Sequence, residues 1–355
     1  MFRKTALLLL FLVSIVTVVG QESKKEPYDV STLNDGPFVF IEQDKLIEKK
    51  IVNGKVFTIN RPLNYAKTTF APEASTYTNV KKIAALSDIH GQYDLAVTLL
   101  KNNKIIDKKL NWRFGKGHLV IVGDIFDRGD KVHETLLLVY KLEQQAKKQG
   151  GRVHFLLGNH EYMVLHNDLR YLHRKYRHTT SLLRIHYNEL YGANTVLGRW
   201  LRSKATIIKI NNDYFVHGGV SKEFIEKTAL SSETIHTINT TMRASIERSK
   251  EEMKSTDFYK TYYGTKGLIW YRGYFYDNLE PTEINGIFHS LDSKHIIVGH
   301  CSYEEVVQLF DHKIFGVDTS LKNGEYGEIL LIKGKRYQRR TLKGKRKRFS
   351  KELES

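Results

Sequence analysis

Three short apolar runs in this chain each break into a polar turn that carries a carboxylate or amide beside a histidine or a second carboxylate. That repetition limits the fold more than any other feature. Ile83-Ala84-Ala85-Leu86 leads into Ser87-Asp88-Ile89-His90-Gly91. His118-Leu119-Val120-Ile121-Val122 leads into Gly123-Asp124-Ile125-Phe126-Asp127-Arg128-Gly129. Val153-His154-Phe155-Leu156-Leu157 leads into Gly158-Asn159-His160-Glu161. Continuous apolar runs of this length read as strands buried on both faces. Helical stretches separate them, from about Tyr93 and through about Lys148, where Gly150-Gly151 supplies a stop. Alternating strand and helix predicts an α/β fold, and polar clusters just past strand ends are where such sheets place ligands.

The same reading extends along the chain. Phe38 to Ile41 and Lys55 to Ile59 have strand composition, and Asn53-Gly54 predicts a tight hairpin turn. Residues 161–203 and 221–262 are expected to be helical. Strands are expected at Ala205 to Ile210, Tyr214 to Val216, Ile296 to Val298, Lys313 to Val317 and Glu328 to Ile332. His217, in Val-His-Gly-Gly, and His300, in Val-Gly-His-Cys, again follow strand-like runs.

The ends carry other information. Arg3 and Lys4 precede an apolar run from Leu7 to Val19 that closes on Gly20, the pattern of a secretory signal over residues 1–20. The run is short for a membrane span of about 20 residues. Export, to a periplasm or the exterior, is therefore expected, with a flexible leader at 21–35 and a catalytic domain at 36–332. Cys301 is the only cysteine among 355 residues, so no intramolecular disulfide forms, and Cys301 reads as a small buried residue. The formal net charge is +17. Eleven of the Lys and Arg residues fall between Lys333 and Lys351 with no acid among them. Residues 333–355 are expected to form a solvated basic tail able to meet an anionic membrane surface, without specific nucleic-acid recognition.

Together these residue types suit phosphate ester hydrolysis, which needs an activated water, charge neutralisation and a proton for the leaving oxygen. Two metals about 3.5–4 Å apart supply the first two. Asp124, at the central strand end, is the candidate bridge. Asp88 and His90 would complete one metal site, and Asn159, His217 and His300 the other. Mixed hard and borderline ligands suit Mn²⁺, Fe or Zn²⁺. His160, next to ligand Asn159, is the candidate general acid, with Asp127 holding its other ring nitrogen. Arg128 offers a planar fork for phosphoryl oxygens. A lone Asp-x-His or His-Gly-Gly is usually a plain loop. Five such motifs in order are not, whereas His154, His173, His178 and His186 read as ordinary core or surface histidines.

These motifs resemble the signature of the phosphoprotein phosphatase family of metallophosphoesterases, Gly-Asp-x-His-Gly, Gly-Asp-x-x-Asp-Arg-Gly and Gly-Asn-His-Glu. Ser87 replaces the first glycine. With the leading hairpin and Trp270-Tyr271-Arg272-Gly273, this departure resembles the Shewanella-like branch. The resemblance implies a four-layer α/β/β/α calcineurin-like sandwich with two central mixed sheets. It also implies the ligand roles above, phosphate contacts from Arg128, Asn159 and Arg272, and a phosphotyrosine or small phosphomonoester substrate. A structural Arg272 stacked on Trp270 or Tyr271 is the alternative for that residue. The competing functions are a dinucleoside polyphosphate hydrolase and a non-catalytic anion-binding module.

Overall fold

The computed structural model describes residues 28–350. The expected signal over residues 1–20 lies outside them. Fifteen strands are present among the described residues. They are β1 (Asp35–Ile41), β2 (Leu46–Val52), β3 (Lys55–Arg61), β4 (Thr76–Tyr77), β5 (Lys82–Leu86), β6 (His118–Ile121), β7 (Arg152–Phe155) and β8 (Ile207–Ile210). β9 (Asp213–Val216), β10 (His295–Val298), β11 (Val307–Leu309), β12 (Ile314–Gly316), β13 (Glu328–Lys333), β14 (Arg336–Thr341) and β15 (Arg346–Lys347) follow. They form one three-stranded sheet, β1-β2-β3, and two six-stranded sheets, β11-β12-β10-β9-β8-β4 and β15-β14-β13-β5-β6-β7.

Alternation along β5 shows how the layers stack. Ile83 and Ala85 face the second sheet, packing with Val120, Phe215, Ile297 and Leu330. Ala84 and Leu86 face the other way, into a cluster that holds helix residues such as Leu99, Leu136 and Val139. Successive strand residues point to opposite faces, so the sheets are buried on both sides, with helices outside and two sheets inside. This is the expected four-layer sandwich, and both sheets are mixed: β5, β6 and β7 run parallel while β13 pairs antiparallel with β5. The helix Val132–Lys148 covers one face through Val132, Leu136, Val139, Leu142 and Ala146, a helical stripe. It ends before Gly150, whose φ of 74° supplies the left-handed stop.

The leading hairpin is a three-stranded meander. Asn53-Gly54 does turn the chain, but between β3 and β2, a strand whose Glu48-Lys49-Lys50 hides its alternation. Asp35 ties the meander to the helix Arg174–Leu183 by accepting the Thr179 hydroxyl at 2.6 Å. Within the leader, Val30–Thr32 forms a 3₁₀ turn.

The basic segment corrects an expectation. Instead of a solvated tail beginning at residue 333, β14 pairs along its length with β13, and β15 pairs with β14. Tyr337, Arg339 and Thr341 turn inward at period two, and the high charge of their neighbours obscures that pattern. Arg339 is 2% exposed. It donates to both oxygens of buried Glu328 at 2.8 and 3.0 Å, and a buried arginine needs such partners. The folded domain therefore runs beyond residue 332.

Candidate active site

The candidate residues gather at one edge of the sandwich, each where a strand ends. Asp88 and His90 follow β5, Asp124 follows β6, Asn159 follows β7, His217 follows β9 and His300 follows β10. The chain turns sharply there. Asp88, His90, Asp124, Asp127, Arg128 and His300 all have φ between 45° and 68°. Non-glycine residues rarely adopt this region, which costs on the order of 1–3 kcal/mol each and concentrates at functional sites. Gly158 answers a different need. A Cβ there would lie 2.3 Å from Asp124 Oδ1, so only glycine lets the β7 turn approach the carboxylate.

Hydrogen bonds fix which ring nitrogens face inward. His217 Nδ1 donates to the Val122 carbonyl at 2.8 Å, and His90 Nδ1 donates to the Phe126 carbonyl at 2.6 Å, because a carbonyl can only accept. Their Nε2 atoms are left for the centre. His217 Nε2 lies 2.8 Å from Asn159 Oδ1, 3.2 Å from Asp124 Oδ2 and 3.2 Å from His300 Nδ1. His90 Nε2 lies 3.8 Å from Asp88 Oδ1 and 3.7 Å from Asp124 Oδ2. Asp124 thus belongs to both groups, the placement expected of a bridge, and the candidate donor atoms of His90, Asp124 and the adjacent His160, and of Asp124, His217 and His300, lie within 4.8 Å of one another. Lone pairs this close repel unless a cation or proton lies between them. The donor set of carboxylates, imidazoles and an amide oxygen fits divalent metals.

The electrostatics describe the same crowding. Burial opposes charge at His217, yet the Asp124 carboxylate pushes its pKa up to about 10. Burial alone would raise Asp124, but His217 and His160 hold it well below the usual carboxylate range. Asp88 is raised by burial and then by Asp318. Burial drives His90 down to about 3 and His300 well below its ordinary value.

Around this centre, His160 Nδ1 donates to Asp127 Oδ2 at 2.6 Å, and Nε2 faces Asp124 Oδ2 at 3.9 Å. Arg128 and Arg272 are exposed. The Arg272 guanidinium lies 5.6 Å from the Trp270 ring, the contact expected of a structural arginine. Its charge also helps to lower buried His300, so Arg272 stands beside the centre as well. Cys301 is buried, and burial pushes its thiol up to about 12, leaving it inert.

Sequence reasoning missed three participants. The Ser87 hydroxyl lies 2.5 Å from Asp88 Oδ2 and 2.7 Å from the Val122 carbonyl, its one proton serving either acceptor, so the residue replacing the family glycine is a brace. Glu161, read only as the last letter of a motif, accepts four backbone N–H groups around Asp124 and Gly158. Tyr171 is 43% exposed, with its ring centroid 5.2 Å from that of His160. Its carbonyl accepts the Arg128 N–H at 3.0 Å, and the Arg128 guanidinium lies 5.2 Å from its ring. Nothing in the run Arg170 to Tyr176 marks one tyrosine as special.

Comparison with known proteins agrees with this geometry. Residues 81–301 match the calcineurin-like phosphoesterase family. The chain is similar to the cold-active protein-tyrosine phosphatase of a psychrophilic Shewanella species, with 42% identity and a TM-score of 0.84, covering 89% of this chain and 99% of that one. It is 25% identical to Shewanella-like protein phosphatase 1 of Plasmodium berghei, over 90% of this chain and 82% of that protein. It is 21% identical to Shewanella-like protein phosphatase 2 of Arabidopsis thaliana, over 69% and 72%. The converging ligand set and these matches place the chain in the calcineurin-like phosphoesterase family of phosphatases, in its Shewanella-like branch.

Proposed function

We propose that the protein is an exported phosphomonoesterase that dephosphorylates phosphotyrosine. Tyr171 carries this reading. A leaving oxygen must sit against the acid that protonates it, and Tyr171 presents an exposed ring 5.2 Å from His160. An aryl leaving group stacks on such a ring, whereas a seryl side chain cannot. The similar Shewanella enzyme is a protein-tyrosine phosphatase, which supports the same substrate class.

Two divalent cations, Mn²⁺ being our choice and Fe or Zn²⁺ the alternatives, supply charge neutralisation and an activated water when held by Asp88, His90, Asp124, Asn159, His217 and His300. The remaining work falls to the chain. Arg128 and Arg272 bind the phosphoryl oxygens, together with the Asn159 amide. Asp127 fixes the His160 tautomer and steadies its imidazolium, which gives the Nε2 proton to the departing oxygen. Export rests on the segment over residues 1–20. The exposed Arg346, Lys347 and Arg348 edge is the surface for anionic contact.

The deciding experiment strips residues 21–355 of metal, restores Mn²⁺, and compares a phosphotyrosine peptide, a phosphoserine peptide and diadenosine tetraphosphate. Metal-dependent release favouring phosphotyrosine is expected. Preference for diadenosine tetraphosphate would assign a dinucleoside polyphosphate hydrolase. No turnover with metals bound would indicate a non-catalytic anion-binding module.

A further inference from the structure

Residues of the two sheets line an open cavity at the edge opposite the candidate metal ligands. Its volume is about 770 Å³, within the usual range for small-molecule sites. Asp213 and His295, in its wall, begin β9 and β10. His217 and His300 follow the far ends of those same strands. Four residues of strand separate Asp213 from His217, roughly 13 Å at the usual rise, so this cavity is distinct from the catalytic centre.

Its interior is built. Asp213 is 5% exposed and accepts from Tyr337 Oη at 2.7 Å and from His295 Nδ1 at 2.8 Å, which commits both carboxylate oxygens. Phe315 and Tyr337, from opposite sheets, stack at 4.8 Å and 3°, and Phe349 packs against Phe315 at 5.6 Å. Asp213 is the only carboxylate in the lining, and it is already engaged. Lys294 and Lys335 are exposed in the same wall, one on the loop before β10 and one in the β13–β14 turn, and neither has a carboxylate partner among the described residues. The cavity therefore offers an aromatic floor with an uncompensated positive rim. Two ammonium groups arriving from different sheets suit a multiply charged phosphate better than a single carboxylate.

We propose that this cavity binds a mononucleotide, with the base against the aromatic cluster and the phosphate between Lys294 and Lys335. Base stacking supplies attraction without sequence-like discrimination, and the Asn212 and Gln308 amides in the lining are available to read the base edge.

The test uses the metal-loaded enzyme and the non-hydrolysable methylenephosphonate analogue of adenosine monophosphate, with adenosine and ribose 5-phosphate alongside, followed by calorimetry. Saturable binding of the analogue is expected, weakened roughly tenfold or more in Lys294→Glu/Lys335→Glu, by loss of two attractions and gain of two repulsions. Turnover of an aryl phosphate by that double variant should match the parent, because both lysines are remote from the centre. No binding would overturn the proposal. So would equal binding by the double variant, or competitive inhibition of turnover, either of which would place the analogue at the metals. Ribose 5-phosphate binding as tightly as the analogue would overturn the role of the aromatic floor.

Discussion

Glu161 holds the backbone of Asp124: its Oε2 accepts the Asp124 N–H at 2.9 Å and, from the facing turn, the Gly158 N–H at 2.7 Å. Oε1 takes the N–H groups of Ile125 and Phe126 at 2.8 and 3.2 Å. One buried carboxylate thus sews together the two turns that carry Asp124 and His160. In Glu161→Gln, an NH₂ would face backbone donors and two acceptances would be lost. A destabilisation of roughly 2–4 kcal/mol is expected from the worth of charge-assisted bonds. Urea titration with metal analysis would show lower stability and substoichiometric metal together. Full metal content at parental stability would rule out the sewing role.

His160→Asn should retain both metals yet lose about 10²–10⁴ in kcat on phenyl phosphate, the range for a lost general acid. The loss on 4-nitrophenyl phosphate should be much smaller, since that leaving group needs little protonation. Asp127→Asn should show the same pattern more weakly, because it removes orientation and charge support from an intact imidazole. Equal losses on both esters would remove His160 from the acid role.

Asp124→Asn should abolish metal binding and activity in one step, since Asp124 Oδ2 approaches His90, His160 and His217. For the parent protein, chelation should lower Tm by roughly 5–10 °C if the metals are present at about a hundredfold above Kd. Calorimetry before and after Mn²⁺ restoration measures it. An unchanged Tm would mean that the crowded ligands are content without a cation.

Tyr171→Ala should reduce kcat/KM for a phosphotyrosine peptide roughly three- to tenfold, mostly through KM, as expected for one aromatic contact. The value for a phosphoserine peptide should barely move. A uniform fall across both peptides would make Tyr171 merely a support for Arg128.

Far from the centre, His118 donates or accepts at 3.0 Å with buried His154, and burial, followed by the His154 charge, pushes its pKa down to about 3. The unfolded chain protonates this imidazole near its ordinary value of about 6.5, while the folded protein resists. The associated stability is complete above that pH and is lost as pH falls from about 6.5 towards 3, at no more than about 1.4 kcal/mol per pH unit. Unfolding free energies for His118→Asn across this window should show a slope shallower by up to one proton. An identical slope would assign the acid sensitivity to other groups.

The convergence of the candidate ligands at one sheet edge was readable in advance because strands announce themselves by apolar runs, and each candidate follows a run directly. β2 and β14 were not readable. Glu48-Lys49-Lys50 and Arg339-Arg340 look like solvent-facing charge until Arg61 is found on Glu48 and Glu328 on Arg339. Partners distant in sequence decide such cases, and one chain read in order does not contain them. Tyr171 and Ser87 were missed for the same reason. Ser87 acts as a brace only through the Val122 carbonyl 35 residues on, and the Tyr171 ring gains meaning only from His160 and Arg128 beside it.

The left-handed turns under Asp88, His90, Asp124 and His300 have an outcome for anyone selecting hardier versions of this protein. Glycine would relax each turn while removing a candidate metal donor, so a heat-resistance screen run in the presence of a chelator, where the metals no longer stabilise the fold, would favour Asp88→Gly or His300→Gly. It would collect robust proteins that no longer turn over. Backbone that could be relaxed is here backbone that holds the candidate ligands, and a useful screen must therefore score catalysis and survival in the same well.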